Sequence, residues 1–506
     1  MSAHARPPLM RQERVALASI TRRHLLRGAA ALGAFGGLAP AAFAAPPALR
    51  LTAAPRSLVI NGSEASALTL ATGDGKIARF SRGDRFNVTL ENRLDEATLI
   101  HWHGLTPPTA QDGTPDLSQP ALPPGNRYAY DFSLRRAGTF WMHSHEGFQR
   151  ARLMAAPLII EDPADKGRDE QEVVIFLADF TFRAPEEVFA ELAGGHGAMA
   201  GMDHMHMDHM QRDHQGMASM DHACMHHSGM TGDTAMGMDI NDVDFDAYLA
   251  NDRTLDDPEA VRVEPGGRLR LRVINAAAGT NFWLDLGALA GELIAVDGDP
   301  VMPIKEQRFP LAMAQRLDIR LALPAGEGAY RVLALREGAS ERAGIVLATQ
   351  NAVILKAQLE QHLPSPPLGI ALEQRLRAAA PLRKRKTDRV IRVDLTGDMA
   401  RFTWGINGKR YGEDAPLHAR AGERVELVMR NRTMMAHPMH LHGHHFQVVA
   451  INDRRFAGAV RDTVLVPAMG SVAVAFDADN PGKWALHCHN EYHMMAGMMT
   501  SLQYPA

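Results

Sequence analysis

Cysteine is almost absent from this chain, with two in 506 residues. Two cysteines exclude a scaffold held by several disulfides and a zinc site made of four thiolates. Aromatic residues are few, at 6%, and positive charge is not in excess, with 54 Lys+Arg against 58 Asp+Glu. This charge balance gives no indication of nucleic acid as a partner. A hydrophobic content of 46% is nevertheless sufficient for ordinary packed cores.

Methionine and histidine, in contrast, are unusually abundant, with 27 and 24 residues respectively. Thioether sulfur and imidazole nitrogen are ligands that suit copper. The composition therefore indicates a copper protein before any motif is considered.

The N-terminus has the three parts of an export signal. The twin arginine at 22–23 resembles a Tat leader. The apolar run at 28–45 contains Gly and Pro and is shorter than the ~20 residues of a spanning helix, and Ala-Phe-Ala at 42–44 fits a cleavage site. Residues 1–44 are thus predicted to be a Tat-type signal peptide that directs a chain without a stable membrane anchor to the periplasm. Its removal takes away six arginines and one glutamate and leaves a net charge near −9.

Two short motifs recur three times in the same order. The first runs from Gly to Asn with alternating apolar and polar residues, typical of a half-buried strand. Its copies are Gly83–Asn92, Gly266–Asn275 and Gly422–Asn431. The second is a Gly two residues before an aromatic, and its copies are Gly138–Phe140, Gly328–Tyr330 and Gly482–Trp484. This recurrence predicts an all-β chain of three tandem antiparallel β-sandwiches.

The repeats divide the mature chain into three predicted domains, at 45–165, 170–350 and 388–506. The stretch 351–387, with Pro364, Pro366 and Pro367 and a short basic run at 383–386, is predicted to be a linker. The second domain contains an insert at about 194–239, which holds eleven Met and eight His.

Four His-x-His pairs occupy equivalent places in the first and third copies of the repeat. They are His101, His103, His143 and His145 in the first domain and His440, His442, His487 and His489 in the third. The second domain has leucine at all four equivalent places. Eight imidazoles at pseudo-symmetric positions predict one metal cluster between the first and third domains, with the second domain as a spacer.

Strand geometry predicts another metal site beside this cluster. Residues i and i+2 share a face of a strand, so Cys488 points away from the His pair that flanks it. His437 is expected on that opposite face, and His493 and Met498 follow shortly after the cysteine. Two imidazoles, one thiolate and a weak thioether are the ligands of a blue copper site. Zinc is a poorer match, because a closed zinc site does not require ten histidines and one cysteine.

These motifs resemble those of three-domain multicopper oxidases. The resemblance rests on four segments: HWHG at 101–104, WMHSH at 141–145, HPMHLHG at 437–443, and HCH at 487–489 with the residues through 498. It implies three cupredoxin-like Greek-key domains and four copper ions, one type 1, one type 2 and a type 3 pair. It also implies that four one-electron oxidations are coupled to the reduction of O2 to two water molecules.

Carried over by position, the resemblance implies a role for each ligand. It assigns type 1 copper to His437, Cys488, His493 and Met498, type 2 copper to His101 and His440, and the type 3 ions to His103, His143 and His489 and to His145, His442 and His487. Cys488 would also pass electrons to the cluster. Asp112 stands at the place of an acid that family members use near the cluster. Glu491 is the nearest other carboxylate and is expected to be an ordinary surface residue.

The insert suggests a substrate. Its methionines favour Cu(I), and it has too few apolar residues to form a core. Such inserts, behind a Tat-like leader, resemble those of periplasmic copper-resistance oxidases. The prediction is therefore a monomer that oxidises Cu(I) to Cu(II) and reduces O2. The alternatives are a laccase-like enzyme for phenols or other organic reductants, a non-enzymatic copper store and, for the insert itself, a low-complexity surface loop.

Overall fold

The computed structural model describes residues 48–75, 77–194 and 240–505. Regular structure in these residues is predominantly β-strand, arranged as three two-layer sandwiches in chain order, so the all-β prediction is confirmed. The predicted signal peptide and the insert beyond Gly194 lie outside the described residues. Within the described ranges, no helix is long and apolar enough to cross a membrane.

The first sandwich packs two four-stranded sheets face to face. Its strands are β1 (Leu49–Ile60), β2 (Ser63–Thr72), β3 (Ala78–Ser81), β4 (Arg85–Asn92), β5 (Ile100–His103), β6 (Arg127–Ser133), β7 (Gly138–Ser144) and β8 (Ala155–Glu161). The strand orders are β2-β1-β4-β6 and β3-β8-β7-β5. Phe86, Trp102 and Tyr130 are buried in the core of this sandwich. The core packs against one face of β5.

The second sandwich has a six-stranded and a five-stranded sheet. Its elements are β9 (Gln171–Phe180), α1 (Pro185–Ala193), β10 (Ala247–Ala250), β11 (Ala260–Arg262), β12 (Arg268–Asn275), β13 (Phe282–Asp285), β14 (Gly291–Val296), β15 (Asp299–Glu306), β16 (Arg308–Leu311), β17 (Arg316–Ala322), β18 (Ala329–Arg336) and β19 (Arg342–Ala348). The orders are β10-β9-β12-β17-β14-β15 and β11-β19-β18-β13-β16. In the stretch that follows, α2 (Ala371–Arg375) forms, and backbone bridges at Ser365 and Ala378 attach this stretch to the second sandwich.

The third sandwich repeats the plan. Its elements are β20 (Arg389–Asp398), β21 (Thr403–Ile406), β22 (Leu417–His418), β23 (Arg424–Asn431), β24 (His437–Leu441), β25 (Phe446–Ile451), β26 (Arg454–Arg455), β27 (Val460–Arg461), β28 (Thr463–Val466), β29 (Ser471–Asp477), β30 (Lys483–Cys488), α3 (Glu491–Met495) and β31 (Met499–Gln503). The sheet orders are β21-β20-β23-β29-β25-β26, with β27 on β25, and β22-β31-β30-β24-β28.

The first repeated motif has one structure in all three sandwiches. Its Gly has φ of +99°, +71° and +83° at positions 83, 266 and 422, a conformation that favours glycine. Its Asn is buried, and the side-chain amide donates to a carbonyl in the next loop and to another across the sandwich; the residues are Asn92, Asn275 and Asn431. That loop leads to β5, β13 or β24, so the Asn holds the start of the strand that bears the first His pair in two of the copies.

The alternating burial expected of this motif holds at the start of β4 and β12 but not in β23. Arg424 and Glu426, expected to face solvent, are largely buried in β23. Arg424 donates to both carboxylate oxygens of Asp477, and Glu426 accepts hydrogen bonds from Nη1 and Nη2 of Arg455. Ion pairing allows these charges to be buried, which a polarity pattern alone does not show.

Candidate metal centres

Eight histidines meet between the first and third sandwiches. His101 lies opposite His143 where β5 pairs with β7, and His440 lies opposite His487 where β24 pairs with β30. Since residues i and i+2 share a face, the second member of each His-x-His pair follows the first onto the same side of its sheet. Each sandwich thus presents four imidazoles to the other.

The ligand atoms of these histidines lie within 4.8 Å of one another in small groups. Two groups of three are His103, His143 and His489, and His145, His442 and His487. The Nε2 atoms of the remaining two, His101 and His440, are 3.5 Å apart. Each group combines residues of both sandwiches, so neither sandwich forms the cluster alone.

In most of these histidines, one ring nitrogen lies within hydrogen-bond distance of a neighbouring protein group. Backbone carbonyls lie 2.8–2.9 Å from Nδ1 in His101, His143, His440 and His487. His103 is reversed, because its Nε2 lies 3.1 Å from Asp462 Oδ1 and its Nδ1 has no hydrogen-bond partner. Such outer contacts fix ring orientation and tautomer, and they leave the other nitrogen available to a metal.

The nitrogens on the other side are buried and unsatisfied. Among the described residues, none is a hydrogen-bond partner of His103 Nδ1, His143 Nε2, His145 Nε2 or His489 Nε2. An unpaired buried polar atom costs about 1–3 kcal/mol, so four together strongly favour a bound cation. Burial lowers the pKa of all four rings well below the usual value, and neutral imidazole is the form that binds metal. The donor set fits copper.

Asp112 lies beside the cluster, at 1% exposure. Its Oδ2 is 2.8 Å from His442 Nδ1 and accepts a hydrogen bond from Thr114 Oγ1, and its backbone carbonyl is 2.9 Å from His101 Nδ1. Burial raises the pKa of Asp112, but His101 and Thr114 outweigh burial, and the net pKa is lowered. An ionised carboxylate in contact with two cluster histidines is placed to exchange protons with the site.

A second site lies on the opposite face of β24 and β30. Cys488 Sγ is 3.7 Å from Nδ1 of both His437 and His493, and these two nitrogens are 3.2 Å apart. Cys488 faces these residues while its neighbours His487 and His489 face the cluster, as strand alternation predicts. Met498 is fully buried, and its backbone bonds to Cys488 and His493 at 3.0 Å each. Burial raises the pKa of the Cys488 thiol to about 12, which argues against an exposed nucleophilic thiolate.

The outer sides of His437 and His493 are also contacted. Thr433 Oγ1 is 2.7 Å from His437 Nε2. Trp404 stacks on His493 with ring centroids 4.0 Å apart, and Asp242 Oδ2 lies 2.9 Å from His493 Nε2. Asp242 is among the first described residues after the insert, so an insert-flanking segment touches this site.

Glu491 is not a surface residue, and the prediction for it was wrong. It is 1% exposed, and Oε2 lies 3.5 Å from Nε of buried Arg150, whose Nη1 is 3.0 Å from His489 Nδ1. Burial raises the pKa of Glu491 to about 7. The reason is the start of α3: Asn490 accepts hydrogen bonds from the backbone N–H groups of residues 492 and 493, and this cap turns Glu491 inward.

Several contacts of the two sites were missed from the sequence. Asp242, Arg150, Asp462 and Thr114 each contact a predicted ligand or Asp112. None belongs to a His motif, and each comes from a loop or from another sandwich. The one available signal was the short distance from Asp112 to Thr114 in the chain.

Three cupredoxin-like sandwiches with a Cys/His site and a shared His cluster are the architecture of multicopper oxidases. Family models described as multicopper oxidase match residues 74–165, 171–358 and 384–506, one match to each sandwich. The chain belongs to the multicopper oxidase family.

Individual relatives support this assignment. The chain is 32% identical to multicopper oxidase MmcO of Mycobacterium tuberculosis, over 90% of this chain and 86% of that one. It is 26% identical to copper resistance protein A of Escherichia coli, over 96% and 99%. The laccase of Botrytis aclada matches with TM-score 0.69 at 21% identity, over 90% and 88%, which shows the shared fold. The chain is therefore an oxidoreductase with copper cofactors, which uses O2 and a reduced substrate.

Proposed function

We propose that this enzyme oxidises Cu(I) to Cu(II) in the periplasm and thereby contributes to copper tolerance. Four Cu(I) ions each give one electron, and O2 takes up these four electrons and four protons to form two water molecules. The observation that carries the proposal is that the segment after the Met/His-rich insert contacts His493 through Asp242, while the helix before the insert packs on Phe402, a neighbour of the His493 ring. The predicted leader at 1–44 and the relative named copper resistance protein A support the location and role.

The insert is flanked by two segments that reach the Cys488 site. Before it, α1 packs Phe189 against Phe402 with ring centroids 6.4 Å apart, and Phe402 lies 5.9 Å from the His493 ring. After it, Asp242 lies 2.9 Å from His493 Nε2 and accepts a hydrogen bond from Asn490. The insert, with eleven Met and eight His, is thus preceded and followed in the chain by residues that lie near the site where electrons would enter. We propose that it gathers Cu(I) there, since thioether ligands favour that ion.

Four resident coppers are proposed on the residues assigned above. His437, Cys488, His493 and Met498 would hold type 1 copper, and the eight clustered histidines would hold the type 2 ion and the type 3 pair. Copper bound there would supply one-electron oxidation at the cysteine and O2 reduction at the cluster. Cys488 lies between His487 and His489 in the chain, so its backbone links the two sites through bonds. Asp112, which contacts His442 and His101, and buried Glu491, which meets Arg150 beside His489, would relay protons to the cluster.

The test compares Cu(I) with a phenol as reductant. O2 uptake is measured with the full chain, with residues 195–239 replaced by a short Gly/Ser linker, and with a length-matched chain whose insert methionines and histidines are all serine. We expect both variants to lose at least about tenfold in kcat/KM for Cu(I), equivalent to about 1.4 kcal/mol, and to keep phenol oxidation and the blue absorption.

The other outcomes separate the alternatives. Unchanged Cu(I) kinetics in both variants would remove the copper-gathering role. A full chain that oxidises phenols far better than Cu(I) would be a laccase-like enzyme. A copper-loaded chain without O2 uptake would be a store.

A further inference from the structure

The described residues of the second sandwich contribute no histidine to the cluster, yet one of its charged side chains binds residues next to the cluster. Arg316, the first residue of β17, is fully buried and points out of its own sandwich. Its guanidinium donates to the backbone carbonyl of Thr139 in the first sandwich and to both carboxylate oxygens of Asp462 in the third, at 3.1, 2.7 and 2.5 Å. One side chain thus joins all three sandwiches.

Every N–H group of Arg316 has an acceptor. Besides Thr139 and Asp462, the guanidinium donates to the carbonyls of Ala314 and Asp297 at 3.1 and 3.0 Å. These five bonds use all five donors of the planar fork. A lysine at this position has three donors in a different geometry and cannot form the paired contact to a carboxylate.

Asp462 and the adjacent Thr463 hold two cluster histidines that come from different sandwiches. Asp462 Oδ1 is 3.1 Å from His103 Nε2, and the Asp462 carbonyl is 2.8 Å from His440 Nδ1. Thr463 Oγ1 also lies 3.2 Å from His103 Nε2 and 3.2 Å from His440 Nδ1. Asp462 thereby selects the reversed orientation of His103, which leaves Nδ1 free.

The backbone beside the Arg316–Asp462 ion pair leaves space for the two side chains. Gly104 directly follows His103 with φ of +87°, and a Cβ there would lie 2.5 Å from Arg316 Nη2 and 2.8 Å from Asp462 Oδ2. Two further residues of the second sandwich bind the backbone of Thr463. Gln315 donates to the Thr463 carbonyl, and Asp297 accepts a hydrogen bond from the Thr463 N–H. The second sandwich therefore contacts Asp462 and Thr463 through three residues, not through Arg316 alone.

We infer that Arg316 of the second sandwich is a positioning residue for the copper cluster, acting through Asp462 on His103 and His440. This inference rests on the proposed cluster. The guanidinium fixes both oxygens of Asp462, and the carboxylate in turn fixes the tautomer of His103 and the separation of the two rings. The second sandwich is then a structural part of the metal site, and its description as a spacer was incomplete.

The decisive variant is Arg316→Lys, which keeps the charge and removes the fork. Outer contacts of this kind change metal affinity by about 10- to 100-fold, so we expect the cluster copper to be lost to a competing chelator at correspondingly lower chelator concentration. The electron paramagnetic resonance signature of type 2 copper should change as well. The blue absorption serves as an internal control for folding, because Cys488 and its neighbours do not contact Arg316. Asp462→Asn, which preserves shape, should change the same two cluster readouts.

Arg272→Lys is the matched control. Arg272 is also buried in the second sandwich and also meets Thr139, donating to its Oγ1 at 2.8 Å and to Asp318 at 3.1 Å. It touches no cluster residue, so copper affinity and the type 2 signature should stay as in the parent chain. An Arg316→Lys protein with the parent's copper affinity and signature would overturn the inference, as would an equal loss in Arg272→Lys. These readouts do not depend on the reductant: a chain that loads copper but oxidises no Cu(I) would instead overturn the proposed function.

Discussion

The two metal-binding regions differ in how their residues are distributed. His437, Cys488, His493 and Met498 belong to one sandwich and to 62 residues of chain. The cluster takes imidazoles from two sandwiches, from His101 to His489, and outer contacts from all three. The four residues of the first region therefore come from one folded sandwich, with one outer contact from Asp242 of the segment before β10, whereas the cluster requires two sandwiches to dock and a third to support them.

This difference has a consequence for substitutions. The regions share the β24 and β30 backbones, whose opposite faces serve one site each. A change on one face should alter one set of spectroscopic and kinetic properties and spare the other. The following predictions test that separation.

Cys488→Ser should have the largest effect. A serine hydroxyl does not replace the soft thiolate, so we expect complete loss of the blue absorption and of turnover with any reductant. The cluster histidines are untouched, and copper should remain bound there, measured as metal content and type 2 resonance. Persistence of the blue band would contradict the assignment, and loss of all copper would show that the regions are not separable.

Asp112→Asn should affect the cluster alone. The amide keeps the shape but not the proton-accepting charge beside His442 and His101, and proton transfer by a placed group contributes about 10²–10⁴-fold. We expect kcat to fall by about 10²-fold with Cu(I) and with a phenol, while the blue band and its rate of reduction by substrate stay unchanged.

Asp131→Asn is the control, since Asp131 is an exposed carboxylate of the same sandwich, paired with Arg85. It should leave kcat unchanged. Slower reduction of the blue band in Asp112→Asn would contradict the prediction, because the residue would then act on electron entry at the Cys488 site rather than on the cluster.

The same difference explains what could be predicted from the sequence. Half of the Cys488 site follows from strand alternation, because His437 and Cys488 lie on the neighbouring strands β24 and β30 and parity decides which way each points. His493 lies in α3 and Met498 just before β31, and these two were predicted from their short distance to Cys488 in the chain. The cluster histidines also followed, because the threefold repeat makes their positions equivalent. The all-β fold followed from the same repeat, since its alternation and turns are local properties.

The contacts around the ligands could not be predicted in this way. Arg316 and Asp462 are 146 residues apart, and no periodicity links them. Glu491 turned inward because a helix cap, not a strand, sets its direction. Docking between sandwiches and local caps place these side chains, and a single sequence encodes such docking only through the complete packing.

Asp242→Asn should have a moderate effect on the Cys488 region. Its carboxylate lies 2.9 Å from His493 Nε2, where we expect its negative charge to attract a cationic reductant. Loss of one such charged contact is worth about 1.5 kcal/mol, or about tenfold. We expect kcat/KM to fall about tenfold for Cu(I) and less for a neutral phenol.

Asp244→Asn is the control for this prediction. That carboxylate is two residues further on, is exposed and pairs with Arg336, so Cu(I) kinetics should stay unchanged. An equal loss for both substrates in Asp242→Asn would indicate damage to the site rather than loss of attraction.

The smallest change compares equivalent residues of two sandwiches, Asn431→Ala and Asn275→Ala. Each Asn anchors the loop before an inner strand, and each substitution should lower the free energy of unfolding of the copper-free protein by about 1–3 kcal/mol in urea. Asn431 also holds Thr433, which contacts His437, whereas Asn275 precedes a strand without metal ligands. Asn431→Ala should therefore shift or broaden the blue absorption, and Asn275→Ala should not. A matching spectral change in both would mean that the Cys488 region depends on the other sandwiches, and the contrast between the two regions would fail.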